Sequence, residues 1–291
     1  MRSTENFNKL LPTAFLTAYP RTFTDIPYSE QIFSALEDIK RVDGIIFGDD
    51  ILSKNLAPGL EARYKMVDKL LGNLGFTQVL ELAAGLSPRG VIFTENNAQT
   101  RYVELDLPEM AQLKREVFSR CGIMPTDNLH ICSGSALAES DIDEAVSHFD
   151  PRQPVAIVSE GLLPYFGFEE KSILARHIVS VLEKFGGYWV SNDAPAVNGL
   201  NRVKRVAKQA SVRPLVSTKN FSPDLFDDLD HFVRFFEAFG LEVVVHDLEE
   251  VLPLLTSPVR LGLDKAETRR KLSEYSSVAV MRLRTDVSLS D

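Results

Sequence analysis

A turn of small residues and an acid further along the chain are the features most suggestive of chemistry. The turn is Ala83-Ala84-Gly85, which follows an apolar run and would let a ligand approach the backbone closely. Asp106 ends the next apolar run, about 21 residues past Gly85, where an acid can accept hydrogen bonds from ribose hydroxyls. The pattern therefore favours nucleoside recognition, and a plain strand–helix turn with a helix-capping Asp is the alternative.

The composition of the turn also separates two kinds of cofactor. A dinucleotide needs a Gly-rich turn that lays its pyrophosphate on a helix N-terminus, and Pro88 and Arg89 stand where that turn would continue. S-adenosylmethionine (SAM) has no phosphate, and an acid-rich rim suits its cationic sulfonium. The sequence therefore favours SAM.

These residues lie in a regular alternation of short apolar runs and helical stretches. Five runs predict strands: Gln78–Ala83, Arg101–Leu105, Leu129–Cys132, Val155–Ser159 and Tyr188–Ser191. Three stretches between them predict helices: Met110–Cys121, Ser140–Phe149 and Glu169–Phe185. This order predicts a doubly wound α/β fold, a parallel sheet with helices on both faces. A helix over Asp230–Phe239 precedes two late runs, Leu241–His246 and Ser277–Leu283, that fit an antiparallel C-terminal edge.

We expect one domain over residues 1–291. Residues 1–75 form an N-terminal helical lid, 76–194 the cofactor-binding core, 195–228 a lid insertion and 229–291 the C-terminal strands. Within the last part, residues 248–276 fit either a helix or a loop with one helix at Asp264–Tyr275.

Charge and composition exclude several classes of function. The formal net charge is -9, and the densest basic stretch, residues 201–208, is typical of the solvated face of one helix, so no nucleic-acid partner is expected. No apolar run approaches membrane-spanning length, and no signal peptide is recognisable. Cys121 and Cys132 fit free thiols in a reducing cytosol, and no cluster predicts a metal site. We expect a cytoplasmic protein with a small-molecule acceptor, and the oligomeric state stays open.

Three motifs carry a resemblance to a known family: Leu80–Gly90, Tyr102–Met110 and Ile157–Phe166. They resemble the leucine carboxyl methyltransferase family, with the bacterial tetracenomycin-type O-methyltransferases of polyketide biosynthesis as the nearest branch. The resemblance covers roughly residues 60–195. It implies the Rossmann-like class I methyltransferase fold with SAM as the cofactor.

The resemblance assigns two charged residues to the amino-acid end of SAM. Arg63 matches the Arg that reaches the carboxylate, and Glu160 matches the acid near the amino group. Glu160 follows a buried strand, where an unpaired carboxylate is costly. If it meets the amino group of SAM, we expect its carboxylate to be underpaired when the cofactor is absent. Glu81, in the first motif, is a further cofactor-binding candidate. A surface salt bridge for Arg63, a structural ion pair for Glu160 and a turn cap for Glu81 are the alternatives.

The nucleoside end is assigned to backbone turns and one acid. Ala83 and Gly85 match the glycines of the first turn, although Ala83 departs from the family pattern. Asp106 matches the ribose acid, and Ser135 with Ala136 matches the adenine-side pair, where the family often has Asp at the first position.

Methyl transfer from a sulfonium needs alignment of the acceptor and exclusion of water more than it needs a catalytic group. By position, Tyr165 and Arg21 are the candidates for holding the acceptor, although Tyr165 could be core packing and Arg21 solvated. The sequence thus predicts methyl transfer to a carboxylate or hydroxyl oxygen of a small molecule. A protein C-terminal carboxyl methyltransferase, a non-catalytic binder with the SAM fold and a nicotinamide-dependent oxidoreductase are the alternatives.

Overall fold

The computed structural model describes residues 14–42, 53–196, 224–275 and 277–284. The helices are α1 (14–21), α2 (Ser29–Val42), α3 (Ala57–Leu74), α4 (Arg89–Asn96), α5 (Pro108–Cys121), α6 (Glu139–Val146), α7 (Phe168–Phe185), α8 (Leu229–Glu237), α9 (Ser257–Arg260) and α10 (Lys265–Leu272). The strands are β1 (Gln78–Leu82), β2 (Arg101–Asp106), β3 (Leu129–Ser133), β4 (Val155–Ser159), β5 (Gly187–Ala194), β6 (Leu241–His246) and β7 (Ser277–Leu283). Short 3-10 helices cover Lys54–Leu56, Leu163–Tyr165 and Leu248–Leu254.

The seven strands form one sheet in the order β3-β2-β1-β4-β5-β7-β6. Strands β1 to β5 are parallel, whereas β7 runs antiparallel to both β5 and β6. The predicted α/β sheet with an antiparallel C-terminal edge is confirmed. The final strand β7 is inserted between β5 and β6, so β6 is the outermost strand. The strand order reverses between β1 and β4, which is where a ligand is expected at the carboxyl ends of the strands.

Both faces of the sheet are covered, as continuous apolar strands require. In β1, Val79 packs into a core on one face with α2, α3 and α5, while Leu80 and Leu82 pack into a core on the other face with α6 and α7. The side-chain period of two in a strand therefore divides the core into two layers. Glu81 shares its face with Val79, so a charge enters a largely apolar layer.

The predicted strands and long helices are found with shifts of a few residues at their ends. Helix α4 was not predicted, because its short sequence shows no clear apolar stripe. Residues 248–276 resolve into a 3-10 helix followed by α9 and α10. Helix α10 begins at a capping box, in which Asp264 accepts a hydrogen bond from the backbone N–H of Glu267.

Two sequence predictions concern segments that are described only in part. The N-terminal segment is mostly helical where it is described, with a non-helical connection over 22–28, and its role as a lid stays a prediction. Most of the predicted lid insertion, with the basic stretch 201–208, lies outside the described residues. Cys121 and Cys132 are free and half-buried. Within the described ranges, no helix is both long and apolar enough to cross a membrane.

Candidate functional site

The turn after β1 has the unusual backbone that its small residues suggest. Ala83 and Gly85 adopt φ angles of 54° and 53°, in the left-handed region. The N–H of Ala83 donates to the carbonyl of Leu105 at 2.8 Å, which holds the turn against the end of β2. A non-Gly residue in this region carries a conformational cost, so the packing around the turn imposes the conformation.

Asp106, at the end of β2, holds the same turn through its carboxylate. Its Oδ2 accepts the N–H of Gly85 at 2.7 Å and its Oδ1 accepts the N–H of Leu107 at 2.7 Å. Burial raises the pKa of this carboxyl, and the two backbone donors partly offset that effect. Each oxygen keeps a lone pair for a further donor.

Arg89, the first residue of α4, is the central cation of this edge of the sheet, and sequence reasoning did not assign it a role. The side chain is fully buried, and its Cζ lies 4.3 Å from the centroid of the Tyr64 ring. Its nitrogens pair with Asp68 at 2.6 Å, with Glu81 at 2.7 Å and with Glu160. Three carboxylates around one guanidinium hold the pKa of Arg89 well above its usual value, even though burial acts in the opposite direction.

Glu81 lies within the sheet and contacts two structural partners. One oxygen pairs with Arg89, and the other accepts a hydrogen bond from the hydroxyl of Tyr102 at 2.7 Å. The side chain is 1% exposed. Glu81 therefore holds Arg89 in place at the floor of the site.

Glu160 has partners within the protein itself, so its carboxylate is not underpaired without cofactor, and the ion pair with Arg89 matches the structural alternative. Besides Arg89, the side chain of Asn192 donates to its Oε2 at 2.7 Å. Burial opposes its ionisation, but the guanidinium groups of Arg89, Arg21 and Arg63 outweigh that effect and lower its pKa. The sequence pattern identified a costly buried charge, and it could not show that a residue seventy positions earlier in the chain supplies the partner.

Arg63, on α3, contacts Asn192, the residue that also donates to Glu160. Its Nη2 donates to Oδ1 of Asn192 at 2.5 Å and lies 3.7 Å from Oδ1 of Asp193. The Nε of Arg63 is shielded from solvent without a hydrogen-bond partner. We call Arg63, Arg89, Glu160 and Asn192 the edge cluster.

Arg21, at the end of α1, approaches the edge cluster from the N-terminal helices. Its Cζ lies 5.8 Å from the centroid of the Tyr64 ring. The Nε of Arg21 and the hydroxyl of Tyr64 are both buried without a hydrogen-bond partner. Burial lowers the pKa of Arg21 and raises that of Tyr64. These atoms are donors available to a ligand.

The remaining predicted residues lie on loops at the same edge of the sheet. The N–H of Ser135 donates to Asp141 at 2.8 Å, and the carbonyl of Ala136 contacts Nδ1 of His177 at 3.2 Å. Tyr165 lies in the 3-10 helix after β4. Ahead of it, the N–H groups of Leu162 and Leu163 both donate to Asp193.

Sequence reasoning missed Asn192 and Asp193 as well as Arg89. The signal was present, because both are polar residues that end an apolar strand. The pairing of β5 with β7 shifts register between Ser191 and Ala194, so these two residues occupy a bulge. A bulge re-aims side chains in a way that strand periodicity cannot predict.

Comparison with known proteins identifies related sequences. A family model described as leucine carboxyl methyltransferase matches residues 34–179. A Mycolicibacterium smegmatis protein, named as a candidate S-adenosyl-L-methionine-dependent methyltransferase, is 30% identical over 156 residues, 53% of this chain and 52% of that protein. A Mycobacteroides abscessus protein named in the same way is 31% identical over 125 residues, 42% of this chain and 40% of that protein. The chain spans about half the length of the curated relatives it matches.

Two solved structures share the fold. A DUF574 family protein from Streptomyces avermitilis MA-4680 aligns with a TM-score of 0.57 and 17% identity, over 94% of this chain and 97% of that one. Magnesium protoporphyrin IX methyltransferase from Synechocystis PCC 6803, solved with bound SAH, aligns with a TM-score of 0.51 and 10% identity, over 86% and 95% of the two chains. At these identities the likeness shows the fold alone.

Proposed function

This chain belongs to the leucine carboxyl methyltransferase family, whose model matches residues 34–179, and from that premise we propose that it is a SAM-dependent methyltransferase. We further propose that the methyl group goes to a carboxylate or hydroxyl oxygen of a small molecule. The tetracenomycin-type branch, and with it a place in polyketide biosynthesis, stays a prediction.

One observation carries the proposal. At the switch point, a cation and an anion, Arg63 and Glu160, are bonded to opposite ends of the Asn192 side chain. The amino-acid end of SAM carries a carboxylate and an ammonium group, so it needs an opposite charge at each end. Arg63 also has a buried Nε without a partner, which a ligand carboxylate would satisfy. The residues present therefore fit the cofactor.

The nucleoside end of the cofactor fits the neighbouring strands. Asp106 accepts one backbone donor on each oxygen and has capacity for ribose hydroxyls. Ala83 and Gly85 present no large side chain toward the space above β1. The adenine-side role of Ser135 and Ala136 stays a prediction.

When bound, SAM supplies a methyl group that its sulfonium already activates for displacement. The protein then has to hold the acceptor in line and exclude water. Arg21 and Tyr165 are the proposed acceptor-holding residues, and the buried Tyr64 hydroxyl adds a donor beside Arg21. Within the described residues, no hydrogen bond joins a histidine to Arg63, Asp106 or Glu160. A carboxylate acceptor, which needs no general base, is compatible with that arrangement.

Melting curves with SAM, S-adenosylhomocysteine, NAD and NADP test the cofactor. S-adenosylhomocysteine at a hundredfold excess over its Kd should stabilise the protein by about 2.7 kcal/mol, with no shift from the nicotinamide cofactors. A shift with NAD alone would reverse the proposal in favour of an oxidoreductase. With methyl-labelled SAM, label in an organic extract supports a small-molecule acceptor, whereas label in precipitated protein supports the C-terminal carboxyl alternative.

A further inference from the structure

Asn192 is a fully buried amide at the carboxyl end of the sheet, and its position is set by the fold. It lies in the β5 bulge, where two residues oppose one on β7. The bulge turns Asn192 toward α3 and the loop after β4, and Asp193 toward the N–H groups of Leu162 and Leu163. A regular strand would place consecutive side chains on opposite faces.

Each end of the Asn192 side chain has a specific polar partner. Its Oδ1 accepts from Nη2 of Arg63 at 2.5 Å and from the N–H of Gly161 at 3.0 Å. Its Nδ2 donates to Oε2 of Glu160 at 2.7 Å. A neutral amide offers an acceptor to the cation and a donor to the anion at the same time.

We propose that Asn192 is a positioning residue that fixes the separation of Arg63 and Glu160, and thereby sets recognition of the amino-acid end of SAM. This inference rests on the proposed function. It adds a residue that neither binds through charge nor belongs to the motifs of the sequence.

Arg63 and Glu160 need Asn192 to fix their separation because each has a competing partner nearby. Arg63 lies 3.7 Å from Asp193, and Glu160 already pairs with Arg89. Without the amide, Arg63 would move toward Asp193, and Glu160 would be held by Arg89 alone. The two charges would then separate and no longer match the spacing of a carboxylate and an ammonium on one carbon.

A purely structural role predicts a different result. The bond from Gly161 to Asn192 also ties the loop after β4 to β5, so a substitution could loosen the whole edge of the sheet. Such loosening would weaken every ligand of the site. A positioning role weakens only those ligands that carry the amino-acid end.

The test compares two ligands by calorimetry. S-adenosylhomocysteine carries the amino-acid end, and 5′-methylthioadenosine keeps the adenosine and the thioether without it. The variants are Asn192→Asp, which replaces the donor to Glu160 with a negative oxygen, and Asn192→Ala, which removes all three side-chain hydrogen bonds and serves if the Asp variant does not fold. Ser191→Ala is the matched control, because Ser191 is fully buried on the same strand and bonds neither Arg63 nor Glu160.

We expect both Asn192 variants to bind S-adenosylhomocysteine roughly tenfold to a hundredfold more weakly, and 5′-methylthioadenosine as the wild type does. Ser191→Ala should leave both affinities unchanged. Equal weakening of both ligands, or no weakening of either, would overturn the inference while leaving the proposed function in place. A wild-type protein that binds neither ligand would overturn the proposed function and this inference with it.

Discussion

Two neighbouring carboxylates on the same face of the sheet are each paired with a buried cation, and the two ion pairs differ in their surroundings. Glu81 and Glu104 are register partners on β1 and β2. Among the described residues, Lys114 forms an ion pair with Glu104 and no other carboxylate, at 2.5 Å, and both are 1% exposed; we call these two residues the sealed pair. Arg89 pairs with Glu81 and continues into the edge cluster, whose charged ends, Glu160 and Arg63, are 16% and 17% exposed.

The difference shows how burial and partner number separate scaffold from site. A one-to-one pair in which both side chains are 1% exposed is out of reach of a ligand. Gly90 makes that burial possible, because a Cβ there would lie 2.5 Å from Oε1 of Glu104. The edge cluster combines several charges, partial exposure and an unpartnered Nε on Arg63. We therefore expect changes in the sealed pair to affect stability, and changes in the edge cluster to affect mainly ligand affinity.

The largest effect is expected from Glu104→Gln. At pH 8, above the Glu104 pKa of about 7, it leaves a buried Lys114 without its counter-charge, and the free energy of unfolding should fall by about 3–5 kcal/mol. The shift in melting temperature caused by S-adenosylhomocysteine should stay unchanged. The double variant Glu104→Gln with Lys114→Met should recover most of the loss. A single variant that lost ligand response along with stability would place the sealed pair in the site.

The sealed pair should also give the protein a specific pH dependence. Burial raises the pKa of Glu104 to about 7, with Lys114 acting in the opposite direction. The folded protein therefore binds a proton more tightly than the unfolded chain, so this stabilising contribution is present below the unfolded pKa and is lost as the pH rises toward 7. Denaturant unfolding between pH 4.5 and 7 should show that decline, and Glu104→Gln should remove it. An unchanged decline in the variant would assign it to another group.

The sheet was predictable because strand–helix alternation is a local signal in the sequence. The edge cluster was only partly predictable because its residues come from distant parts of the chain. Asp106 and Glu160 were identified because each stands in a motif at a strand end, and Arg63 because it matches an Arg of the family that the sequence resembles. Arg89 was noted only as a residue that interrupts a dinucleotide turn. Asn192 became visible only through the bulge, which depends on how β5 pairs with β7, a strand almost ninety residues later in the chain.

Glu160→Gln should have a smaller effect on stability than Glu104→Gln. Arg89 keeps Asp68 and Glu81 as partners, so the apo protein should lose about 1–3 kcal/mol. Affinity for S-adenosylhomocysteine should fall, because the ammonium group loses its counter-charge. Melting curves with and without the ligand measure both quantities. An apo loss as large as that of Glu104→Gln, with an unchanged ligand shift, would move Glu160 into the scaffold.

Asp106→Asn should act mainly on the ligand. The Asn side chain offers one oxygen where Asp106 uses two, so one backbone bond of the β1 turn is lost along with the charge. Affinity for S-adenosylhomocysteine should fall on the order of tenfold, the equivalent of about 1.4 kcal/mol. Asp127→Asn removes the same charge from an exposed residue before β3, at the opposite edge of the sheet, and should change nothing. Equal affinities in the two variants would reduce Asp106 to a support for the turn.

The smallest effect is expected at the turn itself, from Ala83→Gly. Ala83 has a φ of 54°, a conformation that costs a non-Gly residue about 1–2 kcal/mol. Glycine removes that cost but adds about 0.5–1 kcal/mol of backbone entropy to the unfolded chain, so the variant should be more stable by at most about 1.5 kcal/mol.

Gly85→Ala is the matched opposite, because Gly85 has a φ of 53° and nothing lies within 4 Å of an added Cβ. Backbone strain costs that variant about 1–2 kcal/mol, and the lower entropy of its unfolded chain offsets about 0.5–1 kcal/mol, so it should lose at most about 1.5 kcal/mol. Chemical denaturation of both variants measures whether the free energy of unfolding rises or falls in each. Destabilisation by Ala83→Gly would mean that the methyl group, which packs against the core beneath the turn, contributes more than the backbone strain costs. Ala83 would then belong with the sealed pair as scaffold, even though it borders the edge cluster.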